Sequence, residues 1–548
     1  MDPELYAKAG EVHDLLWSTK LVAAEQQLRE LERRHPIFSL MLCELFVTRS
    51  LLSEKKEDYQ AAAKYITEVR KKCSSLYHSR KPALKAYLAK MGADIPDRSP
   101  TPDVGDSDEE DGDAGPESEQ TKNAASALWA RSIGAEAALM DSAIKFKLQK
   151  YVKGVLDFRK SWKTYEECQM ILEKLGRDNA EVPQLKEIAC VVDFGVGIFK
   201  FACSRVPRQF QWIVEGIGFK ADAIAALEDL KRSAGVENMF RHRLSTVSLA
   251  WIHGFFYFDY ESGHTLLDAQ LAQFPDSPAL HFVTGYVLRK EGKIDQSNAS
   301  FNRAFELAAE PPEFQVKIHY ELGYNYYIKH DWKQAIEHLT PFYEHRLSEV
   351  FRAYCAYQLG FCHLMLKDKA TAVKYFKQVS QYVRKNFAFD EFGQKQAKKY
   401  LKKKQYTVFE VLFVQAMLSH EGCDFPKTLE LLEKMEGKEN GIADNARKWY
   451  LRGSCAAHMG DSATAKEFYV KVIQAEKQIR DDAKQESFTL PWCYAGLCEL
   501  HLLDGDLDKA EALLKKCKSF SGYDFENFLG VRIRKAEDDI RVAKQKQS

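Results

Sequence analysis

Residues 320–339 read YELGYNYYIKHDWKQAIEHL, and this stretch decides the fold. Leu322 and Gly323 lie one turn before Tyr326, while Ala335 and Leu339 lie one turn apart further on. Ile318, Leu322, Tyr326 and Ile336 recur at helical spacing with charged residues on the opposite face, so the segment predicts two amphipathic helices. Small residues such as Gly323 and Ala335 let the pair approach closely, and the large ones fill the space between this hairpin and its neighbours. The arrangement recurs on both sides. Upstream lie Gly285, Leu288, Gly292, Phe301, Ala304 and Pro311; downstream lie Leu359, Gly360, Ala372 and Phe376. After a longer helical interval come Trp449, Gly453, Gly460, Ala465 and Val472, then Leu497, Cys498, Gly505, Ala510 and Leu514, with cysteine in the usual place of glycine.

A succession of this kind is the tetratricopeptide pattern of a two-helix repeat that buries its apolar face only against a neighbour. It predicts an all-α fold of tetratricopeptide-like helical-hairpin repeats, an α-solenoid, with a helical central region. Fainter second-helix patterns stand at Ala24, Leu28, Leu31 and Pro36, and at Ala63, Ile66 and Val69. Sustained period-two alternation bounded by hairpin turns is missing, which argues against a sheet. The expected organisation is N-terminal hairpins over 1–94, a linker over 95–123, a central helical region over 124–245, repeats over 246–405 and C-terminal repeats over 406–548.

The linker runs IPDRSPTPDVGDSDEEDGDAGPESEQTKN and is almost without apolar residues, so nothing in it offsets the entropy of ordering a backbone. It is expected to be disordered. Ser99 and Thr101 precede prolines and Ser107 precedes an acidic run, which makes the three candidate phosphorylation sites beside the plainer reading of an unmodified spacer.

At 548 residues, with 45% hydrophobic and 29% charged residues, the chain is long enough for several cores or an elongated array. Its 79 basic and 79 acidic residues cancel, which argues against whole-chain attraction to nucleic acid or an anionic membrane. Twelve scattered cysteines without a C-x-x-C pair fit buried thiols in a reducing compartment. The N-terminal residues carry no signal-peptide pattern, and Ile188 to Cys203, read as the most apolar stretch, is too short and too charged to span a membrane.

The central run FGVGIFKFACSRVPRQFQWIVEGIGFKADAIAALEDLKRSAG, Phe194 to Gly235, resembles the signature of the tetratricopeptide-repeat protein 39 and inclusion-body clearance family. That signature has a Phe-Gly-x-Gly helix, a Ser-x-x-Pro break and a Gly-Phe-x-x-Asp turn. Phe194, Gly195, Gly197, Ser204, Pro207, Gly218, Phe219 and Asp222 supply it in order, and Tyr151, Val152, Lys153 and Gly154 with Arg159, Lys160 and Tyr165 resemble the upstream region. The resemblance implies a cytosolic adaptor from a family associated with lipid and sterol homeostasis and with clearance of protein inclusions, some members being linked to mitochondria or the nucleus. It carries over no catalytic residue. Two glycines in an apolar helix cost about 1 kcal/mol each relative to alanine, which close packing would offset. Asp222 is placed to cap the helix running to Ala234, and Gly235 to end it.

Other patterns are weaker. Asp193-Phe194-Gly195 spells a kinase metal-binding triplet without a kinase's other motifs, and Gly195-x-Gly197 has no third glycine, so both are read as packing. His253, His264, His281, His319, His330, His338 and His345 form no compact ligand set, and no metal or cofactor is expected. Lys395, Lys398, Lys399, Lys402, Lys403 and Lys404 read as a solvated helix face, with Lys399, Lys402 and Lys403 as candidates to dock the acidic linker, an anionic lipid surface or an acidic partner. Tyr320, Tyr324, Tyr326, Tyr327, Tyr354 and Tyr357 cluster in adjacent repeats. Tyr320, Tyr324 and Tyr327 are the candidates for peptide recognition on a concave face, set against a packing role. The expected function is a non-catalytic scaffold holding a peptide or helix in its groove. The competing expectation is a lipid carrier or enzyme with a cavity enclosed around residues 190 to 235. The expected address is the cytoplasm, with the nucleus, the mitochondrial outer membrane or a lipid droplet as peripheral alternatives.

Overall fold

The computed structural model describes residues 3–92, 117–206, 219, 222–345, 351–481 and 488–547, apart from positions 149, 178, 180, 181, 183, 237, 238, 309 and 386. Among these residues there are 25 α-helices and no strand. They gather into two compact units: Met1–Leu249 with Ala272–Ser277 and Ala309–Pro311, and Ala250–Leu271 with Pro278–Ala308 and Pro312–Ser548.

The first unit begins with α1 (Pro3–Trp17), α2 (Leu21–Leu31) and α3 (Pro36–Ser53). Helix α3 is the one helix among the described residues long and apolar enough to cross a membrane. Ile37, Phe38, Leu40, Met41, Leu42 and Leu45 of α3 are nevertheless buried in the unit's own core. Long antiparallel helices follow: α4 (Lys56–Lys90), α5 (Glu117–Lys147) and α6 (Tyr151–Leu175). Helix α5 starts before the expected end of the linker. Gln120 is buried there and the Asn123 side chain accepts a 2.6 Å hydrogen bond from Arg80 of α4, so these two residues have packing partners that the segment's polar composition concealed.

Helices α7 (Leu185–Ser204), α8 (Ala223–Ala234) and α9 (His242–Ile252) complete this part of the chain. The two signature glycines of α7 are the contact points: a Cβ on Gly195 would stand 2.1 Å from the Tyr165 hydroxyl of α6, and one on Gly197 would stand 2.7 Å from Leu230 of α8. Asp222 caps α8 as expected, accepting from the amides of Ile224 at 3.0 Å and Ala225 at 3.2 Å. The Gly235 amide closes the helix on the Lys231 carbonyl at 2.8 Å.

The second unit opens with a π-helical turn at His253–Tyr257 and α10 (Tyr260–Gln273), then builds six helical hairpins. These pair α11 (Pro278–Lys290) with α12 (Ile294–Leu307), α13 (Pro312–Lys329) with α14 (Trp332–His345), and α15 (Arg352–Met365) with α16 (Lys369–Val379). An extra helix, α17 (Ala388–Lys403), packs on the third pair. Then α18 (Val408–Glu421) pairs with α19 (Phe425–Lys434), and α20 (Ile442–His458) with α21 (Ser462–Gln474). A short α22 (Glu476–Asp481) leads to the pair α23 (Thr489–Leu503) and α24 (Leu507–Cys517), and α25 (Glu526–Gln547) ends the chain.

One register governs all six hairpins. A small residue on the first helix, Gly285, Gly323, Gly360, Ala416, Gly453 or Cys498, is followed seven positions on by a left-handed residue: Gly292, His330, Lys367, Cys423, Gly460 or Gly505. Next comes Lys293 in the first hairpin and aspartate in the other five. All five, Asp331, Asp368, Asp424, Asp461 and Asp506, cap the second helix through a backbone amide at 3.0 to 3.2 Å. Twelve positions beyond the small residue stand Ser297, Ala335, Ala372, Thr428, Ala465 and Ala510, all fully buried. Sixteen beyond it, a large side chain of the second helix presses on the small residue: a Cβ on Gly285, Gly323, Gly360 or Gly453 would lie 2.6 to 2.9 Å from Phe301, Leu339, Phe376 or Tyr469.

Candidate interaction groove

Tyr320, Tyr324 and Tyr327 are not at a free surface. Their exposures are 6%, 7% and 1%. The i, i+4, i+7 spacing that places them on one face of α13 places them on the face that meets the next hairpin. Tyr320 lies 5.3 Å from the Phe351 ring at the start of the next hairpin, Tyr324 donates a 2.8 Å hydrogen bond to Glu421 of α18, and Tyr327 packs at 6.1 Å on Phe361 of α15. These residues bind hairpin to hairpin, which corrects the expectation that they receive a peptide.

The lysine run is split. Lys399 and Lys403 both approach Glu410, whose carboxylate also closes the Thr407 capping box of α18; hydrogen bonds to it hold its pKa below the usual range against the effect of burial. Lys395 pairs with Asp524 at 2.9 Å, and Lys402 is exposed. Ser99, Thr101 and Ser107 lie outside the described residues, as do Pro207 and Gly218 of the central signature.

Of the remaining signature residues, Phe194 borders a buried polar centre in the first unit. Phe194 stands 5.2 Å from the guanidinium of Arg241, which is fully buried, stacks on Phe240 at 4.1 Å and pairs with Glu44 and Glu136. Burial raises the carboxyl pKa of Glu136, opposed by Arg241. His13 stacks on Phe240 at 4.9 Å and is held neutral, its pKa lowered to about 3 by burial and by Arg241. Asp193 of the apparent kinase triplet is bound by Arg177 at 2.7 Å and Arg232 at 3.4 Å, an ion pair inside the fold. With Tyr165 and Leu230 filling the glycine positions, the described part of α7 packs tightly where the competing expectation placed a cavity. Among the described residues no three of His, Cys, Asp and Glu gather as a metal would require.

What sequence reading missed lies in the second unit. Arg532 of α25 donates from Nε to Glu499 of α23 at 2.8 Å, and its Nη2 makes a second bond to the same carboxylate. Its guanidinium lies 5.5 Å from the Trp492 ring. Tyr450 and Tyr469 are close enough to act on it electrostatically, and despite burial its pKa is raised, chiefly by Glu499. On the same helix Asp538 accepts a 3.0 Å hydrogen bond from Tyr257 of the π-helical turn. Phe528 meets Phe389 of α17 at 5.0 Å, and Phe525, just before the helix, meets Phe392 at 5.1 Å. Helix α25 thus lies against α17, α23 and the π-helical turn together. The sequence signal was the helix itself: a polar segment with Leu529, Ile533, Ala536 and Ile540 on one stripe.

A family model described as Iml2/Tetratricopeptide repeat protein 39 matches residues 14–459. The chain belongs to that family. The matched region takes in the buried Arg241 centre and the first four hairpins, and stops before α21. A curated member from Caenorhabditis elegans, tetratricopeptide repeat protein ttc-39B, is 21% identical over 417 residues, covering 70% of each chain. Among solved structures, yeast Tom70 is similar at 13% identity with a TM-score of 0.31, covering 100% of this chain and 97% of that one. The Cut9–Hcn1 hetero-tetramer of the APC/C is similar at 13% identity with a TM-score of 0.24, covering 97% and 95%. At such scores the solved structures carry no argument, and the fold rests on the six hairpins.

Proposed function

We propose that this family member is a non-catalytic adaptor of the cytoplasm that holds protein partners in the groove of its second unit, in the service of lipid homeostasis or inclusion clearance. One observation carries the binding part. The last hairpin, α23 with α24, together with α17 and the π-helical turn, forms walls that grip an α-helix through a bidentate arginine–carboxylate pair, a tyrosine hydroxyl and aromatic contacts. Such walls supply the two elements of helix recognition, an apolar seat and a polar register. The pathway rests on family membership alone.

A second reading has its own observation. Tyr151, Val152 and Leu156 at the start of α6 are 54%, 77% and 62% exposed, beside exposed Lys150, Lys153 and Arg159. Apolar side chains flanked by cations suit peripheral contact with an anionic lipid surface.

The test is affinity capture with the full chain and with Glu499→Gln, alongside flotation on phosphatidylserine vesicles. The adaptor reading expects stoichiometric protein partners that are lost with Glu499→Gln at a temperature where that variant is folded by circular dichroism. Vesicle binding with no groove-dependent protein partner would replace it by the lipid reading.

A further inference from the structure

Helix α25 has partners on more than its apolar stripe. From Phe528 to Ala543 it carries seven charged residues, yet none of its residues there is fully exposed. A helix that merely ends a solenoid turns a polar outer face to solvent. Here the stripe Leu529, Ile533, Ala536 and Ile540 packs on Tyr494, Cys498, Leu514 and Cys517 of the last hairpin, while the other faces meet Glu499, Tyr257 and Phe389. The polar contacts are specific: two bonds from Arg532 to one carboxylate, the Tyr257 hydroxyl on Asp538, and Lys518 against Glu537 at 2.5 Å. Apolar anchors at i, i+4, i+7 and i+11 with one buried arginine are the marks of a helix docked in a groove.

We infer that α25 is a built-in occupant of a helix-binding groove, and that the partner it gives way to is an amphipathic helix of another protein. That helix has apolar residues spaced as Leu529, Ile533, Ala536 and Ile540 are, and an arginine three positions after the first to take Glu499. The inference rests on the adaptor reading and names the chemistry of its partner. Because α25 is tethered through the short segment 518–525, its effective concentration at the groove is of order 1 mM. A free helix of equal affinity at 10 µM would fill about one groove in a hundred, so exchange needs either a tighter partner or a weakened α25.

The experiment uses the full chain and a fluorescent peptide of residues 524–548. Arg532→Ala removes the cis arginine and leaves Glu499 without its bidentate partner, which only the added peptide can restore. The expected result is peptide affinity at least tenfold higher for Arg532→Ala than for the unaltered chain, lost when the peptide carries Arg532→Ala or the chain also carries Glu499→Gln. Should Arg532→Ala fold poorly by melting temperature, Tyr257→Phe loosens the opposite end more gently and is expected to raise hydrogen exchange over 526–547 together with peptide affinity. No gain in peptide binding by a folded variant with faster exchange over 526–547 overturns the inference. So does dimerisation of that variant, which would make a second copy the occupant. Partners captured equally by both chains and not competed by the peptide also overturn it while leaving the adaptor reading; peptide binding without any protein partner supports the groove and removes the adaptor.

Discussion

Gly323 faces Leu339 across its hairpin so closely that a Cβ would lie 2.7 Å from Leu339 Cγ and 3.0 Å from its backbone nitrogen. Backbone cannot swing aside as a side chain can, so Gly323→Leu must separate the helices; overpacking of this kind costs about 1 to 3 kcal/mol, readable as a lower denaturation midpoint. Lys402→Gln is the control. Lys402 is exposed on a helix, and the expected change is within about 0.5 kcal/mol. Titration gives a second check. His330 donates from Nε2 to the Gln415 carbonyl at 3.0 Å, and its pKa is lowered to about 4, first by burial and then by Lys427. Between the ordinary histidine value near 6.5 and about 4, the unfolded chain binds the proton that the folded chain refuses, so stability falls as pH falls through that window. The slope approaches about 1.4 kcal/mol per pH unit for each such group. In denaturation at pH 7 and pH 5, His330→Gln should lose less stability between the two than the unaltered chain. An equal loss would exclude His330 as a contributor.

Hairpins were legible in proportion to how literally they spell the pattern. Gly285, Gly323, Gly360 and Gly453 announced themselves because glycine in a helix is costly and therefore informative. The hairpin of α18 and α19 was passed over as a helical interval, since it holds Ala416 for glycine, Cys423 for the turn glycine and Thr428 for alanine. Each substitute is small enough, or in the case of Cys423 left-handed enough at φ +56°, to keep the same register. The tyrosines failed in the opposite way: a helical stripe is visible in sequence, but which neighbour covers it is not. Helix α5 beginning at Glu117 shows the same limit, because its first polar turns are ordered by Arg80, far away in sequence. Capping is the testable feature of the repeated element. Asp461 accepts from the Thr464 amide at 3.0 Å, so Asp461→Ala should lower the midpoint of a denaturation curve, and Asp506→Ala should do the same. Unchanged midpoints for both would mean that the aspartates mark the turns without stabilising them.

At the scale of the molecule, each unit has a centre built around a buried arginine, and the two serve differently. Arg241 is fully buried between Glu44 and Glu136, well away from solvent. Removing such a partner strands two carboxylates, so Arg241→Met should destabilise the first unit by about 3 to 5 kcal/mol, seen as a large fall in its unfolding midpoint. Arg532 instead belongs to the single helix α25, and its side chain retains 18% exposure. The central claim is that partners are held in the groove now lined against α25. Cross-linking mass spectrometry of the full chain with its captured partner tests it most directly. Cross-links to the partner should concentrate on Lys395 and Lys518, which α25 and the segment before it now cover. Cross-links confined to Lys374, Lys377 and Lys471 on the second helices α16 and α21, with Lys395 and Lys518 silent, would contradict it.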